Sequence, residues 1–519
     1  MYDVLIVGYG PTGMLAAVLL GRAGHKVAVL ERYATLYNLP RVGIVHDDVM
    51  RMFQDVGCLE SVQPAMRFLP VYELARNGKI LMSSRVQPQA THGWPEFISV
   101  YQPAFEKELD LLVRAEANID LLQGHTAVEL TQDADSVTVT AEDASGVRAQ
   151  FSAAYAVGAD GGNSFVRRAL GVEYEHLGFD QDWLVIDGKA KRPERAELPD
   201  YRQFLEPELP HMTLRIGPDH RRWSFMLLPG ESVEEATQPD SLWHRLDRPE
   251  GGTPDEFEII RAVSYRFQSL VAQRWRDGRV FLAGDAAHQM PPFLAQGLCS
   301  GFRDAYNLAW KLDLVLTGVS PPSFLNTYAA EREPNSRATI IESVRVGQNV
   351  IERDLERAAA RDEQLLALSA KMQAAQAEKQ LIAFRVPGYE AGFVARDAVA
   401  AGGAFGQARV RLNGVEGRFD DVVGRGFLIL ARGGDPEAAL SPDDAAFWRS
   451  IGGRFVRLGE GAIEDLEGYY SGLMDEYGCD VIVKRPDFYI FGAASTLDGL
   501  PALLAEVRQQ LMVRQEWSG

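Results

Sequence analysis

Val4-Leu5-Ile6-Val7-Gly8-Tyr9-Gly10-Pro11-Thr12-Gly13 is the stretch on which the fold turns. Its four unbroken apolar residues read as a strand buried on both faces, as in a parallel sheet. After the glycine turn, Met14 to Ala23 reads as a helix and Val27 to Leu30 as a second strand, which makes a βαβ unit. Gly8 permits the tight turn, Gly10 lets backbone N–H groups approach a pyrophosphate, and Gly13 lets the helix pack close to the sheet. The helix start presents a positive dipole end to phosphate. Glu31 closes the second strand, where an acidic side chain accepts hydrogen bonds from the hydroxyls of an adenosine ribose. Strand, turn, helix and acid together predict dinucleotide binding, without separating NAD from FAD.

The 519 residues exceed one ordinary core and predict two or three domains. At 46% hydrophobic and 24% charged, the composition fits a globular enzyme. The formal net charge of -19 argues against nucleic acid or an anionic membrane as the main partner. A small anionic substrate is not excluded, because one local basic pocket suffices for it. Cys58, Cys299 and Cys479 lie far apart, which predicts neither a disulfide framework nor a zinc site and points to the cytoplasm. A strand begins at once after Met1, so no signal peptide is expected. No apolar run approaches the ~20 residues of a spanning helix.

Beyond the first unit, Phe105 to Ala115 has helical spacing, and Val137 to Thr140 and Ala154 to Ala159 read as strands. Residues 176–266 change texture, with alternating runs such as Trp183 to Ile186 and Trp223 to Leu227. They predict a second sheet inserted into the nucleotide domain, joined by part of 70–100. An apolar strand returns at Arg279 to Ala283, followed by helices from about Leu298 to Leu316 and Ser323 to Arg332. The charge-rich run 350–380 reads as exposed helices with a solvated face. The expected layout is α/β: a discontinuous nucleotide domain over 1–175 and 267–380, the inserted sheet over 176–266, and a small α/β domain over 395–519.

Two further blocks carry chemistry. In Gly158-Ala159-Asp160-Gly161-Gly162, followed by Ser164 and Arg167, a strand runs into an Asp-Gly turn and a helix. Taken alone it is a turn with a serine cap. In Gly284-Asp285-Ala286-Ala287-His288, then Pro291-Pro292 and Gln296-Gly297, a strand delivers Asp285 to a sheet edge. A carboxylate there would be repelled by phosphate but suits a ribityl hydroxyl. The prolines remove backbone donors and stiffen the loop. A helix starting near Gly297 would point its positive end at whatever sits before it; were that an isoalloxazine ring, which turns anionic on reduction, the N–H groups of Gly297 and Leu298 would stabilise the charge.

With GYGPTG, GADGGNSFVRR and GDAAHQMPP…QGLCSGFRDAYNLAWKL in this order, the chain resembles the flavoprotein hydroxylases of the para-hydroxybenzoate hydroxylase type. The segments LPRVGIVHDD and RRWSFMLLPGE and the full-length layout resemble the 3-(3-hydroxyphenyl)propionate hydroxylase branch. FWRSIGGRFVRL and VIVKRPDFYIFGAA resemble the thioredoxin-like C-terminal domain, without redox cysteines, of members acting on larger phenols.

The resemblance implies a Rossmann-like FAD-binding domain, an inserted substrate sheet and a thioredoxin-like tail. It implies a cytoplasmic FAD-dependent aromatic hydroxylase in aromatic-compound catabolism, using NADH or NADPH and O2 through a flavin C4a-hydroperoxide. The substrate would be a small phenolic acid such as 3-(3-hydroxyphenyl)propionate, and a homodimer is a possible assembly. The implied cofactor residues are Gly8, Gly10, Pro11, Thr12, Gly13, Glu31, Arg32, Arg41, Gln102, Asp160, Asp285, Pro292, Gly297 and Leu298. Two departures stand out: Leu294 and Ala295 occupy a loop commonly rich in glycine, and Cys299 stands where many members have Asn. A side chain at a position of positive φ there costs ~1 kcal/mol or more.

Hydroxylation benefits from a base or relay that activates the phenol. The candidate catalytic residues are His46, which competes with a capping role, and Tyr265. Arg222, Trp223 and Phe225 are substrate-pocket candidates, although alternating core residues explain the two aromatics equally well. His288 reads better as a structural hydrogen-bonding group than as an acid or base. No metal cluster is expected. The competing readings are a polyketide-tailoring or antibiotic-inactivating monooxygenase on the same scaffold, or a non-catalytic binding protein. Intact Gly13, Glu31 and Asp285 weigh against the last.

Overall fold

The computed structural model describes residues 1–195, 197–377, 386–459 and 461–512. Its first sheet has eight strands, five of them parallel, in the order Val280–Leu282, Arg148–Gly158, Tyr2–Val7, Val27–Glu31 and Ile119–Gln123. Val4, Leu5 and Ile6 are fully buried, as a central parallel strand covered on both faces requires. The helix Pro11–Arg22 begins with Pro at its first turn, three residues before the Met14 expected from the pattern. It packs closely on the sheet because Gly13 carries no side chain: a Cβ there would stand 2.1 Å from the Gly8 carbonyl oxygen. The long helix Gln296–Leu316 packs beside it, buried along most of its length.

The second sheet has eight strands and is built on two long antiparallel partners, Tyr174–Ala190 and Phe257–Ala272. His220–Met226, His211–Ile216 and Tyr201–Phe204 continue it. Val71–Arg76 and Lys79–Arg85 close its far edge, so part of 70–100 does join the inserted sheet. Side chains alternate between its faces. Leu184, Ile186, Trp223 and Phe225 pack with Leu242 and Leu246 of the helix Pro239–Leu246 on the outer face. Trp183, Met212, Met226 and Leu214 point the other way, toward Phe293, Ala295 and Ile44.

The described part of the run 350–380 is the largely exposed helix expected of it, but one face of that helix is buried. Helix Leu355–Ala377 lays one face on the strand Lys79–Arg85, with Leu365 packed among Leu74, Leu81 and Leu205. Arg361 is buried there and donates to the carbonyls of Asn349 and Leu205. Its apolar residues are too sparse for the pattern to stand out against the charges. The ends of two expected domain ranges, 378–380 and 513–519, lie outside the described residues.

Residues 428–512 form a four-stranded mixed sheet in the order Arg454–Leu458, Leu428–Arg432, Val481–Lys484, Ile490–Ala494, the third running antiparallel to its neighbours. One face of the sheet packs into a shared cluster, in which Phe393, Phe427, Phe491 and Trp448 meet Leu314 and Phe324, and the other carries a core of its own around Leu430, Ile482 and Tyr470. Among the described residues, no helix is long and apolar enough to cross a membrane.

Candidate functional site

The parallel sheet brings the three sequence blocks to one edge. Strands Tyr2–Val7, Arg148–Gly158 and Val280–Leu282 are neighbours, so the turns after Val7, Gly158 and Leu282 lie side by side at their carboxyl ends. The Ala159 N–H donates to the Val7 carbonyl at 2.8 Å, and the Ala283 N–H to the Gly158 carbonyl at 3.0 Å. Gly8 has φ of +106°, and a Cβ on it would lie 2.4 Å from the Ala159 oxygen. Gly10 and Gly297, in contrast, face open space: a Cβ at Gly10 meets nothing within 4 Å, and one at Gly297 only Met290 at 3.9 Å. Glycine is therefore required by protein packing at Gly8 and Gly13, and leaves backbone accessible at Gly10 and Gly297.

Glu31 is half-buried and accepts from the Tyr9 N–H at 2.8 Å and the Tyr33 N–H at 2.9 Å. The carboxylate is thereby fixed at the strand end beside the glycine turn. Arg32 is exposed and stacks over Tyr33. Gln102, fully buried, accepts from the N–H groups of Arg41 and Val42 at 2.9 and 2.6 Å and donates to Glu106 at 2.6 Å. It shapes the 41–42 segment instead of offering its own amide. The Arg41 side chain stacks over Tyr37 and approaches Glu106 at 3.4 Å.

Asp285 is solvent-accessible, yet protein surrounds it densely enough that desolvation pushes its carboxyl up, with His288 and Arg41 pulling it back. Accessibility combined with crowding marks the floor of a deep cleft. Tyr174 donates to the Asp285 carbonyl at 2.8 Å and fixes that turn. Pro292 opens a short 3-10 turn ending at Ala295, which has φ of +55° and precedes the helix carrying Gly297 and Leu298. These features fit FAD: a glycine cradle open at Gly10, an acid at the second strand, a carboxylate on the cleft floor, and a helix start with an open Gly297.

Two expected cofactor residues have other partners. The Asp160 carboxylate accepts from the Val166 N–H at 3.1 Å and, with Ser164, caps the helix Phe165–Ala169. The turn-and-cap reading of that block is the one its geometry follows. Thr12 wedges between helices: a Cβ on Gly284 or Gly301 would lie 2.8 or 2.4 Å from its hydroxyl oxygen. Its side chain packs the Pro11–Arg22 helix on Gln296–Leu316.

The candidate bases are also placed. His46 is buried, sits edge-on to Phe97, and donates from Nε2 to the Leu294 carbonyl at 3.1 Å. Burial lowers it to about 4, a shift Asp48 only partly offsets, so it is neutral near pH 7 and a weak base. Its geometry is that of a positioning residue for the 292–295 turn. Tyr265 accepts from Arg261 at 3.1 Å, and burial raises its phenol, which keeps it protonated. His288 is fully buried against Asp304 at 2.8 Å. Asp304 also accepts from the Gly284 N–H and from Arg332, at 2.9 and 2.8 Å.

The sequence reading missed Asp304 and Arg332, and also Arg303, which bonds Asp48 at 2.6 Å and Gln296 at 2.8 Å. For Arg303 and Asp304 the signal was charge inside the otherwise mostly apolar helix Gln296–Leu316, where burial demands partners, whereas Arg332 lies in the polar helix Asn326–Val350 and gave no such signal.

On the inserted sheet, Arg222 holds Asp187 at 2.7 Å and the carbonyls of Pro40 and Arg41. Arg261 holds the other Asp187 oxygen at 2.6 Å and also the Pro40 carbonyl. Both arginines thus tie the sheet to the loop above the cleft. Trp223 and Phe225 do not line that cleft. They belong to the opposite face, where the Trp223 Nε1 donates to the Glu250 carbonyl at 3.1 Å. A one-residue step along a strand reverses the face, which their hydrophobicity alone did not reveal.

Comparison with known proteins matches residues 1–343 to the FAD binding domain family and 402–510 to the HcaD C-terminal domain family. The chain is 38% identical over 97% of its length, and 94% of the relative's, to a probable NADH-specific resorcinol 4-hydroxylase of Rhodococcus jostii (strain RHA1). It is 32% identical over 95% of its length, and 88% of the relative's, to a 3-(3-hydroxy-phenyl)propionate/3-hydroxycinnamic acid hydroxylase of Mycobacterium sp. (strain KMS). Its fold is that of the flavin-dependent monooxygenase PieE, solved with FAD and substrate: the TM-score is 0.83 at 23% identity, over 98% of this chain and 99% of the other.

Proposed function

The chain belongs to the FAD-dependent single-component aromatic hydroxylases, and from that premise we propose that it inserts one oxygen atom from O2 into the ring of a small phenol, with NADH as reductant. The observation that carries this reading is the meeting of three turns at one sheet edge beneath the inner face of the inserted sheet.

FAD, when bound, supplies two-electron reduction by nicotinamide and activation of O2. The protein's part is binding, orientation and exclusion of water. Gly8, Gly10, Pro11 and Gly13 with the helix start would receive the pyrophosphate, and Glu31 the adenosine ribose. Asp285 would take the ribityl hydroxyls, with Arg41 above it. The N–H groups of Gly297 and Leu298 would stabilise negative charge on the reduced ring. Gln102, His46 and Pro292 hold the flanking segments in place. Phe293, Trp183, Met212 and Leu214 provide a dry wall that keeps water from the reacting centre.

The relatives' names give two substrate classes, resorcinol and hydroxyphenylpropionate, both phenols activated toward electrophilic oxygen. For residues 428–512 we propose a thioredoxin-like fold. Its support is the mixed strand order with two helical crossovers and a final helix, Leu500–Met512. Cys479 has no partner cysteine, so the role is structural.

The test is purification of the yellow protein followed by a phenol panel with NADH, reading oxygen uptake and product mass. A mass gain of one oxygen is expected. NADH consumption and product masses unchanged across the whole panel would overturn the reading.

A further inference from the structure

The inner face of the inserted sheet carries one phenol that the protein leaves unpaired. Tyr72, on the strand Val71–Arg76, packs in one apolar cluster with Ile44, Phe97, Tyr201, Leu214 and Ala295. Its ring is tilted against Tyr201, with centroids 5.1 Å apart, and meets Phe97 in a T-shaped contact at 6.5 Å. The cluster reaches the entry to the helix Gln296–Leu316. Ala295 immediately precedes that helix, and Phe97 stands edge-on to His46, which bonds the Leu294 carbonyl at 3.1 Å.

The Tyr72 hydroxyl has no hydrogen-bond partner among the described residues, yet protein does not seal it off, as it does the unpaired hydroxyls of Ser224 and Tyr389. The side chain is half-buried. Protein nevertheless crowds it: burial raises the phenol well above its ordinary 10, and Tyr201 adds to the rise. A group that keeps accessible surface in so dense a setting borders an internal recess. Phe97 and Ala295 beside it keep part of their surface too. Tyr201 differs, because its hydroxyl accepts from the Gln203 amide at 2.9 Å.

The recess is therefore lined by rings and alkyl groups around a single free O–H. No cation joins the cluster. On the same face, Arg222 and Arg261 are spent on Asp187, at 2.7 and 2.6 Å. Arg202, on the neighbouring strand, is paired with Glu73 at 2.6 Å. The partner that suits a lone neutral donor is an uncharged oxygen on an aromatic ring, with that ring lying against Phe97 and Tyr201. Tyr72 keeps its proton near pH 7, so it gives a hydrogen bond but takes no proton from a phenol. An oxygen held by it is anchored, not ionised. A donor on the reacting hydroxyl would also draw electron density from the ring and oppose attack on an electrophilic oxygen. The oxygen that fits is a second substituent.

We propose that Tyr72 is a specificity-determining residue of the hydroxylase site, its hydroxyl donating to an uncharged oxygen that the substrate ring carries in addition to its reacting hydroxyl. This rests on the hydroxylase reading.

The experiment gives the FAD-loaded enzyme, wild type and Tyr72→Phe, resorcinol, 3-methoxyphenol and 3-methylphenol in turn. The three rings differ in one substituent: two place an oxygen there and the third a methyl group. KM and kcat are read from oxygen uptake with NADH, products from their mass, and stability from Tm. Tyr72→Phe should raise KM for resorcinol and 3-methoxyphenol by roughly 5- to 10-fold, the worth of one neutral hydrogen bond, and leave that for 3-methylphenol unchanged. Its Tm should hold or rise, because the removed hydroxyl has no protein partner. Tyr201→Phe, which takes the acceptor from Gln203, should lower Tm instead. An equal rise in KM for all three rings would mean a role in packing alone. An unchanged KM for resorcinol would mean that the hydroxyl meets no substrate. Either result overturns the assignment and leaves the hydroxylase reading intact. NADH consumption with product masses unchanged for all three would overturn both.

Discussion

Arg485 donates to the Glu331 carboxylate at 2.6 Å, and neither side chain reaches solvent. Glu331 belongs to the helix Asn326–Val350, and Arg485 follows the strand Val481–Lys484 of the C-terminal sheet. Lys311 and Asn307 of Gln296–Leu316 reach the same carboxylate, at 2.7 and 2.6 Å. Burial raises the Glu331 carboxyl, but Arg485 and Lys311 outweigh it and hold the group down to about 2. The C-terminal sheet is thus fastened to the helix whose first turn carries Gly297.

Removing one partner of this cluster leaves the others charged and buried. Glu331→Ala should destabilise the protein by about 3–5 kcal/mol. Urea unfolding, followed by flavin release and tryptophan fluorescence, measures it. A loss under about 1 kcal/mol would mean that water reaches the cluster and screens it.

The Asp285 carboxylate lies on the cleft floor, and its loss should be felt as loss of cofactor. Asp285→Ala should weaken FAD binding by roughly 10- to 100-fold, the worth of one or two hydrogen bonds to a charged group. Flavin absorbance per protein after gel filtration gives the occupancy. Full occupancy in the variant, at a concentration near the wild-type Kd, would remove Asp285 from the site.

Gly13→Ala places a Cβ 2.1 Å from the Gly8 oxygen, a backbone atom that cannot swing aside. The helix must move from the sheet, so a stability loss of about 1–3 kcal/mol is expected together with poor FAD retention. Gly10→Ala, whose Cβ meets nothing in the protein, should keep its fold and lose only flavin affinity. Equal damage to folding from both substitutions would contradict this division.

His46 is held at about 4 by burial, below its ordinary 6.5. The unfolded chain therefore binds a proton that the folded chain refuses between those values. Stability contributed by the neutral form is present above pH 6.5 and falls as pH drops toward 4, by about 3 kcal/mol at most. His46→Asn should flatten that part of the stability-against-pH curve. A slope unchanged in the variant would place the titration elsewhere.

Ala295 adopts φ of +55° at the entry to the helix Gln296–Leu316, a conformation that favours glycine. Ala295→Gly should leave stability unchanged or raise it by up to ~1 kcal/mol, since relief of strain offsets the entropy of a more flexible unfolded chain. A fall in Tm of several degrees would show that the methyl group's packing near Ile44 and Tyr201 outweighs the strain.

Much of the nucleotide side of the site was legible locally. Gly8, Gly13 and Glu31 act through backbone geometry within a short stretch, and a turn that needs glycine announces itself. The substrate side was not. Trp223 and Arg222 are neighbours in sequence and lie on opposite faces, and only pairing register separates pocket from core. His46 resembled a base until burial and the Leu294 carbonyl explained it.

By itself, the sequence determined the βαβ opening, the inserted sheet and the flavoprotein class, because strand hydrophobicity, glycine turns and a terminal acid are short-range requirements. Only the tertiary structure decided which side chains of the inserted sheet face the first domain and which face outward. That property depends on strands distant in sequence, such as those carrying Met212 and Trp183, pairing in a register that puts their side chains on one face.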